Sequence, residues 1–429
     1  MDNQRLRVLI IGGIALLAVI GALVVFRLIP GRKPPGVPPA DLVFWGVADD
    51  ELVWQETINR FREQYPSVTI AYRRIDERGY ESFLINRLAE GRGPDIFMLK
   101  NSWVAKHRDK IFPLPQESLD FGGREFAQTF VDGAGQDLLL PDGSIIGMPL
   151  VIDTLALFYN KDIFNAKGVA QPPATWEEFA RVAAKLSGVS PTGDVSESGA
   201  ALGTFRNVSH AFEILSGLML QSGDPIIRPG SRDPALGRAA AEALSFYASF
   251  ADPGAENFSW TSRKNESLAA FAQGEAAMAF GFARDIPAVL GRNPRLALGV
   301  APFPQFADAA PAHILAPAEY YFPTVSRASP APAQAWFFLL FASSPEIAAE
   351  YSGRVGIAPA RRDLVERAPS SDLLHAFRRQ ALIARFWSVP DEAGAERLFG
   401  EAIESVNNRS RSVAQALEIL RGKITFLIP

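Results

Sequence analysis

Cysteine is absent from all 429 residues. No disulfide, thiolate nucleophile or thiolate metal ligand can therefore form, and neither can the lipid-bearing cysteine that anchors bacterial lipoproteins. Histidine is nearly as scarce, with four residues at 107, 210, 313 and 375 and no His-x-x-x-His pair, which argues against a zinc site. No Gly-x-Ser-x-Gly elbow, phosphate loop or dinucleotide fingerprint occurs, so no cofactor is expected. Positive charge is also in short supply. The chain carries a net −4, and because residues 1–40 hold five basic side chains and one acidic one, the remainder carries about −8. An acidic body of that kind is a poor partner for nucleic acid or anionic lipid heads.

What remains is ordinary globular material, 48% hydrophobic and 10% aromatic, too long for a single core and long enough for two domains. At its start, "VLIIGGIALLAVIGALVVF" (8–26) runs 19 residues without a charge. As a helix it would span about 28 Å. Basic residues flank both ends (Arg5, Arg7, Arg27, Arg32, Lys33), and no small-x-small cleavage site precedes Arg27. Residues 1–29 are read as an uncleaved signal anchor. "PGRKPPGVPPAD" (30–41) has five prolines in twelve residues, a stiff spacer over 30–40 that would hold the rest off a membrane.

The body opens as a short strand "DLVFWG", a helix with Leu52, Ile58, Phe61 and Tyr65 at helical spacing, and an alternating strand "SVTIAYRRI". A second amphipathic helix "GYESFLINRLAEG" and the strand "GPDIFMLKN" follow. This β-α-β-α-β order predicts a parallel sheet covered by helices. Two apolar runs around Asp142-Gly143 predict a hairpin, and Thr175 with Glu178 predicts a capping box. The stretch 187–200 reads as a surface loop, and "EAAMAFGFA" and "LALGVAPFP" as strands leading into loops.

"PLVIDTLALFYNKDIF" (149–164) reads as one strand buried on both faces, yet Asp153 and Thr154 interrupt it. A buried carboxylate is costly unless it is paired, protonated or in use. Open α/β sheets bind ligands beyond the carboxyl ends of their strands. The polar and aromatic residues there are Trp45 and Asp49, Asn101, Ser102 and Trp103, Asp153 and Thr154, and Phe282. Aromatic faces mixed with carboxylates and amides suit a sugar, whose C–H face stacks while its hydroxyls take hydrogen bonds. Trp54 and Trp336 lie on apolar helical stripes and read as core, and Trp176, after a helix cap, reads as a staple.

"SIIGMPLVIDTLALFYNKDIFNAKGVAQPPATWEEF" and "SLAAFAQGEAAMAFGF", with "GPDIF" and "VAPFPQ", resemble the signature stretches of the family 1 extracellular solute-binding proteins, relatives of maltose-binding protein. The resemblance covers about residues 41–425. It implies an α/β, two-lobed periplasmic-binding-protein-like fold of type II with a ligand cleft between lobes, here preceded by a transmembrane helix. Lobe one would be 41–152 with 303–352 and lobe two 153–302 with 353–429, with crossings near Asp153, Pro302 and Gly353. Carried over by position, the resemblance implies ligand contacts at Asp49, Asn101, Asp153, Asn207, Phe282, Tyr320 and Trp387. Phe282 lies close to where relatives stack a tryptophan, and "GTFRNVS" departs from the maltose-type loop. The implied partners are a small solute, most plausibly a carbohydrate, and the subunits of an ABC permease, with the binding domain on the extracytoplasmic side of the membrane. A tethered sensor or scavenger without transport, or a glycan-cleaving carboxylate pair, are the alternatives.

Overall fold

The computed structural model describes residues 37–47, 51–115, 121–227, 233–365, 372–387, 389 and 391–427. The apolar run at 8–26, most of the proline-rich spacer and Asp49 lie outside them. Among the described residues no helix is long and apolar enough to cross a membrane. The chain divides into two compact units. Unit 1 holds residues up to Ile152, Tyr320–Val355 and a return segment from Pro359, and unit 2 holds Asp153–Glu319, Gly356–Ala358 and the C-terminal part.

Unit 1 is built on the expected alternation. Strand β1 (Ala40–Val47), helix α1 (Glu51–Gln64), β2 (Val68–Ile75), α2 (Tyr80–Ala89) and β3 (Ile96–Lys100) follow one another. β1 lies parallel between β2 and β3, with Phe44 opposite both Tyr72 and Ile96, and Tyr321–Val325 adds an antiparallel edge against β3. β3 is apolar because both its faces are covered, whereas edge strand β2 alternates. Phe44 is fully buried, 4.6 Å from the Trp54 ring of α1 and 6.2 Å from Phe338. Phe338 belongs to the helix Pro332–Ala342, whose Trp336 donates its indole N–H to the carbonyl of Phe112 at 2.9 Å. Trp54 and Trp336 are thus core, as their stripes imply, and burying one such side chain is worth about 1.5–3 kcal/mol. At Asp142-Gly143 the chain does turn tightly, Leu140 N–H donating to the Ser144 carbonyl at 2.9 Å with Gly143 at φ +79°. The two arms pair over a short length, Leu139 bridging antiparallel to Ile145, and the helix Asp132–Leu138 leads directly into the first arm.

In unit 2 the stretch read as one strand is two. Asp153–Thr154 pairs antiparallel with Ala316–Glu319, while Ala156–Asn160 sits between Met278–Gly281 and Leu298–Ala301 in a separate antiparallel sheet. Leu155 is the switch point, its N–H donating to the Pro317 carbonyl at 2.8 Å. Both halves are buried, so hydrophobicity alone carries no mark of the break. Gly281 has no room for a side chain, since a Cβ there would lie 2.6 Å from the Phe158 ring. The helix Trp176–Leu186 begins with the expected box, Thr175 Oγ1 accepting from Glu178 N–H at 3.2 Å. Trp176 is not a surface staple but the hub of a buried aromatic cluster, its indole N–H bonded to Gln221 at 2.7 Å and its ring 5.0 Å from Phe303. The 187–200 loop contains a small hairpin, Gly188–Val189 against Val195–Glu197.

The crossing expected near Pro302 falls instead at Glu319/Tyr320. Phe303 packs on Trp176, and Ala316–Glu319 pairs with Asp153–Thr154, so 303–319 is held in unit 2. The crossing expected near Gly353 falls between Val355 and Gly356.

Candidate functional site

Unit 1 gathers Asn101, Asp137 and Tyr320. Asn101 follows β3 directly and is almost wholly buried. Its amide NH2 donates to Asp137 Oδ2 at 3.2 Å, and its Oδ1 accepts from the Tyr320 N–H at 3.3 Å. The Tyr320 hydroxyl donates to the same Asp137 oxygen at 2.9 Å. Burial and then the Asp137 carboxylate raise the Tyr320 phenol well above its ordinary pKa, so it stays a donor. Trp103 is half-buried, its ring 6.3 Å from Tyr80 in a stacked arrangement and 5.8 Å edge-on to Tyr321. Trp45 is buried on β1 and stacks on Phe83 at 5.2 Å. The sequence brings Asn101, Trp103 and Tyr320 to one sheet end, because Tyr320 precedes the edge strand paired with β3. It does not mark Asp137, which lies in the short helix Asp132–Leu138 just before the predicted hairpin.

Unit 2 centres on Asp153. The carboxylate is 1% exposed, accepts from Ala283 N–H at 2.8 Å and Arg284 N–H at 3.2 Å, and lies 3.8 Å from the Arg284 guanidinium. Burial pushes its pKa up to about 6, against the opposing pull of Arg284 and the two amides. Arg284 also donates to Glu319 at 2.9 Å and sits 4.2 Å above the Phe282 ring. Burial opposes the guanidinium charge, but Glu319 and Asp153 outweigh it and raise the pKa further. Phe282 is fully buried and meets His210 edge-on at 4.8 Å. His210 holds a left-handed backbone, φ 60°, as the residue capping helix Ala211–Gln221, and its Nε2 lies 2.8 Å from Asp285. Burial would discharge that imidazole, but the bond to Asp285 prevails and its pKa is raised.

One helical turn on, Glu213 is pushed up to about 7 by its enclosure, although its side chain keeps some accessible surface. It lines a pocket with Phe212, Glu319, Arg385, Trp387 and Glu392. Trp387 is 8% exposed and packs 5.8 Å from Phe212 and 5.6 Å from Phe399. Its indole Nε1 is buried without a hydrogen-bond partner among the described residues. Such a donor is costly to leave unpaired.

Several expected contacts are already committed within the protein. Asp153 is not a wet, solute-facing carboxylate, because the backbone of 283–284 occupies its oxygens. Thr154 is fully buried, its hydroxyl accepting from Gln380 at 3.2 Å. Asn207 uses its amide to tie the carbonyls of Thr261 and Lys264, both at 3.0 Å, which makes it a loop brace. The sequence alone does not mark Arg284, Glu319, Glu213 or Gln380. A charged pair, Arg284-Asp285, directly after a buried strand was the available signal. Among the described residues no group of three or more histidines and carboxylates is placed to hold a metal ion.

Known proteins give this geometry a context. A maltotriose-binding protein of Pyrococcus abyssi is 26% identical over 148 residues, covering 34% of this chain and 30% of that one. An sn-glycerol-3-phosphate-binding periplasmic protein of Brucella abortus is 35% identical over 85 residues, 19% of this chain and 20% of that one. The aligned stretches thus span about a third or less of these curated relatives. In fold, the chain is similar to the sugar-binding protein MalE of Xanthomonas citri, with a TM-score of 0.76 at 21% identity over 90% of this chain and 97% of that one. The fold is accordingly the two-lobed α/β one of such proteins. The family model for bacterial extracellular solute-binding proteins matches residues 46–349, most of the chain. The chain belongs to the bacterial extracellular solute-binding protein family, whose members bind solutes and are not enzymes.

Proposed function

We propose that the protein captures a sugar or oligosaccharide on the extracytoplasmic side of the membrane and delivers it to an ABC permease, held there by the apolar run at 8–26. The observation that carries this reading is the aromatic and acidic cluster of unit 2, where Trp387 and Phe212 lie beside Glu213 and Glu319 around a narrow, water-sized pocket. Aromatic faces beside acceptors and donors are what a hydroxyl-rich ring needs. Relatives named for maltotriose and for sugar binding support the same solute class. Trp103, Trp387 and Tyr320 are the proposed contacts. Asn101, Asp153 and Thr154 act one step behind them, through the partners described above, and Trp45, Phe282 and Asn207 shape the surrounding faces. Asp49 stays a proposed hydroxyl contact by position in the sequence alone.

A thermal-shift screen of the full chain against mono- and oligosaccharides tests the reading. A ligand at 100 times its Kd should stabilise the protein by about 2.7 kcal/mol. A panel that leaves the melting temperature unmoved, while another solute class raises it, would overturn the sugar assignment.

A further inference from the structure

Arg284 is the accessible member of a clamped ion group. Its side chain keeps 36% of its surface, against 2% for Asp153 and 11% for Glu319. Three contacts fix it in place: Glu319 at 2.9 Å, Asp153 at 3.8 Å and the Phe282 ring at 4.2 Å. A guanidinium carries five N–H donors in a rigid plane. The hydrogen bond to Glu319 uses one, and among the described residues no side-chain acceptor is bonded to Nε or Nη1. A held arginine with spare donors is a built half-site for an oxygen ligand.

The charges around it decide which oxygen. Asp153, Glu319, Asp285 and Glu213 surround or adjoin the clamp, and Glu392 closes the Trp387 pocket that Glu319 borders. Among the described residues, Arg284, His210 and Arg385 oppose them. The frame is net acidic. A hydroxyl fits such a frame, accepting from Arg284 while donating to a carboxylate. The dianionic group of a phosphate ester only accepts, carries like charge to the frame, and would meet Glu319 already on the guanidinium.

We propose that Arg284 is a ligand-contacting donor of unit 2, and that its acidic frame sets the specificity of the site for uncharged, hydroxyl-rich solutes over phosphorylated ones. This rests on the solute-binding reading above and adds a side to it. The family includes relatives named for a neutral trisaccharide and for a phosphate ester, and the frame favours the former class.

The test has two arms, both on the full chain at low ionic strength. In the first, inorganic phosphate and glycerol 3-phosphate are compared with chloride of equal ionic strength by melting temperature. Neither should stabilise the wild type selectively. Glu319→Gln, which releases the guanidinium from its neutralising partner, should gain a phosphate-dependent rise, and Glu319→Gln combined with Arg284→Gln should lose it. Should Glu319→Gln fail to fold, Glu213→Gln, which removes a charge beside Glu319 without freeing the guanidinium, should give a smaller rise of the same kind. A wild type that responds to phosphate as strongly as these variants, or a response that survives removal of Arg284, overturns the proposal. In the second arm, each saccharide that stabilises the wild type is titrated against Arg284→Gln and Arg284→Lys. Both should weaken binding by about tenfold or more, since lysine lacks the planar fork, while Arg238→Gln on an exposed helix should not. Unchanged affinity in Arg284→Gln also overturns it. If no saccharide binds at all, the sugar reading fails, and the phosphate arm still decides the role of Arg284.

Discussion

At the scale of single residues, the largest gap between sequence and structure is Asp153. An acidic residue inside an apolar run is conspicuous, and its need for a partner or a use is legible. What could not be read was its partner, because Ala283 and Arg284 lie 130 and 131 positions away and join it only through the fold. The raised pKa gives a prediction with a definite sign. A carboxyl with a folded value of about 6, above its ordinary 3.8, contributes stability that is fully present below pH 4 and lost as pH rises through 6. At about 1.4 kcal/mol per pKa unit, the loss amounts to about 3 kcal/mol by pH 8. Asp153→Asn cannot titrate and supplies the reference. The melting temperature of wild type relative to Asp153→Asn should therefore be highest near pH 4 and fall toward pH 8. A flat difference across that range would mean the carboxylate is ionised throughout. Trp387 belongs to this scale too. Trp387→Phe keeps the ring face and removes an N–H that has no partner among the described residues. Calorimetric titration with a saccharide that stabilises the wild type should show weaker binding, by about fivefold to tenfold, and a melting temperature of the free protein equal to or above wild type, since a buried orphan donor has been deleted.

Whole elements were more legible than residues wherever the hydrophobic period was clean. The β-α-β-α-β start of unit 1 emerged nearly residue for residue, because α1 repeats its apolar side chains every three to four positions and β2 alternates. The capping box at Thr175 emerged because its chemistry is local. Non-local elements did not. Nothing in "VIDTLALFYN" says that the strand changes sheets at Leu155, since both sheets bury it equally. The helix Asp132–Leu138 was missed because two glycines weaken its pattern. A cap that was read correctly can be checked directly. Thr175→Ala removes the hydroxyl that accepts the Glu178 N–H and should cost about 1 kcal/mol of stability in denaturant unfolding. Thr175→Ser should restore most of it, and equal stability of Ala and Ser variants would show that the box contributes nothing.

Over the molecule as a whole, the sequence has two parts of opposite character. Residues 41–429 are acidic and build the two units, whereas residues 1–40 carry a net positive charge around 19 uncharged residues. A run of that length satisfies its backbone as a helix and matches a bilayer's hydrocarbon core of about 30 Å. Without a cysteine to carry lipid, that run is the one feature of the sequence suited to tethering the protein. A capture function would gain from a tether, because a solute released near the membrane meets a permease at an effective concentration set by linker length, and a sequence with five prolines in twelve residues favours an extended linker. The expected outcome is that the full chain sediments with membranes and resists carbonate extraction, with peptides from residues 1–7 recovered by mass spectrometry from the membrane-bound protein. A version starting at residue 41 should be released while still responding to the same saccharides. Recovery of a mature N-terminus near residue 30 in the soluble fraction would instead identify the run as a cleaved signal. The solute would then have to be carried to its permease by diffusion rather than held beside it.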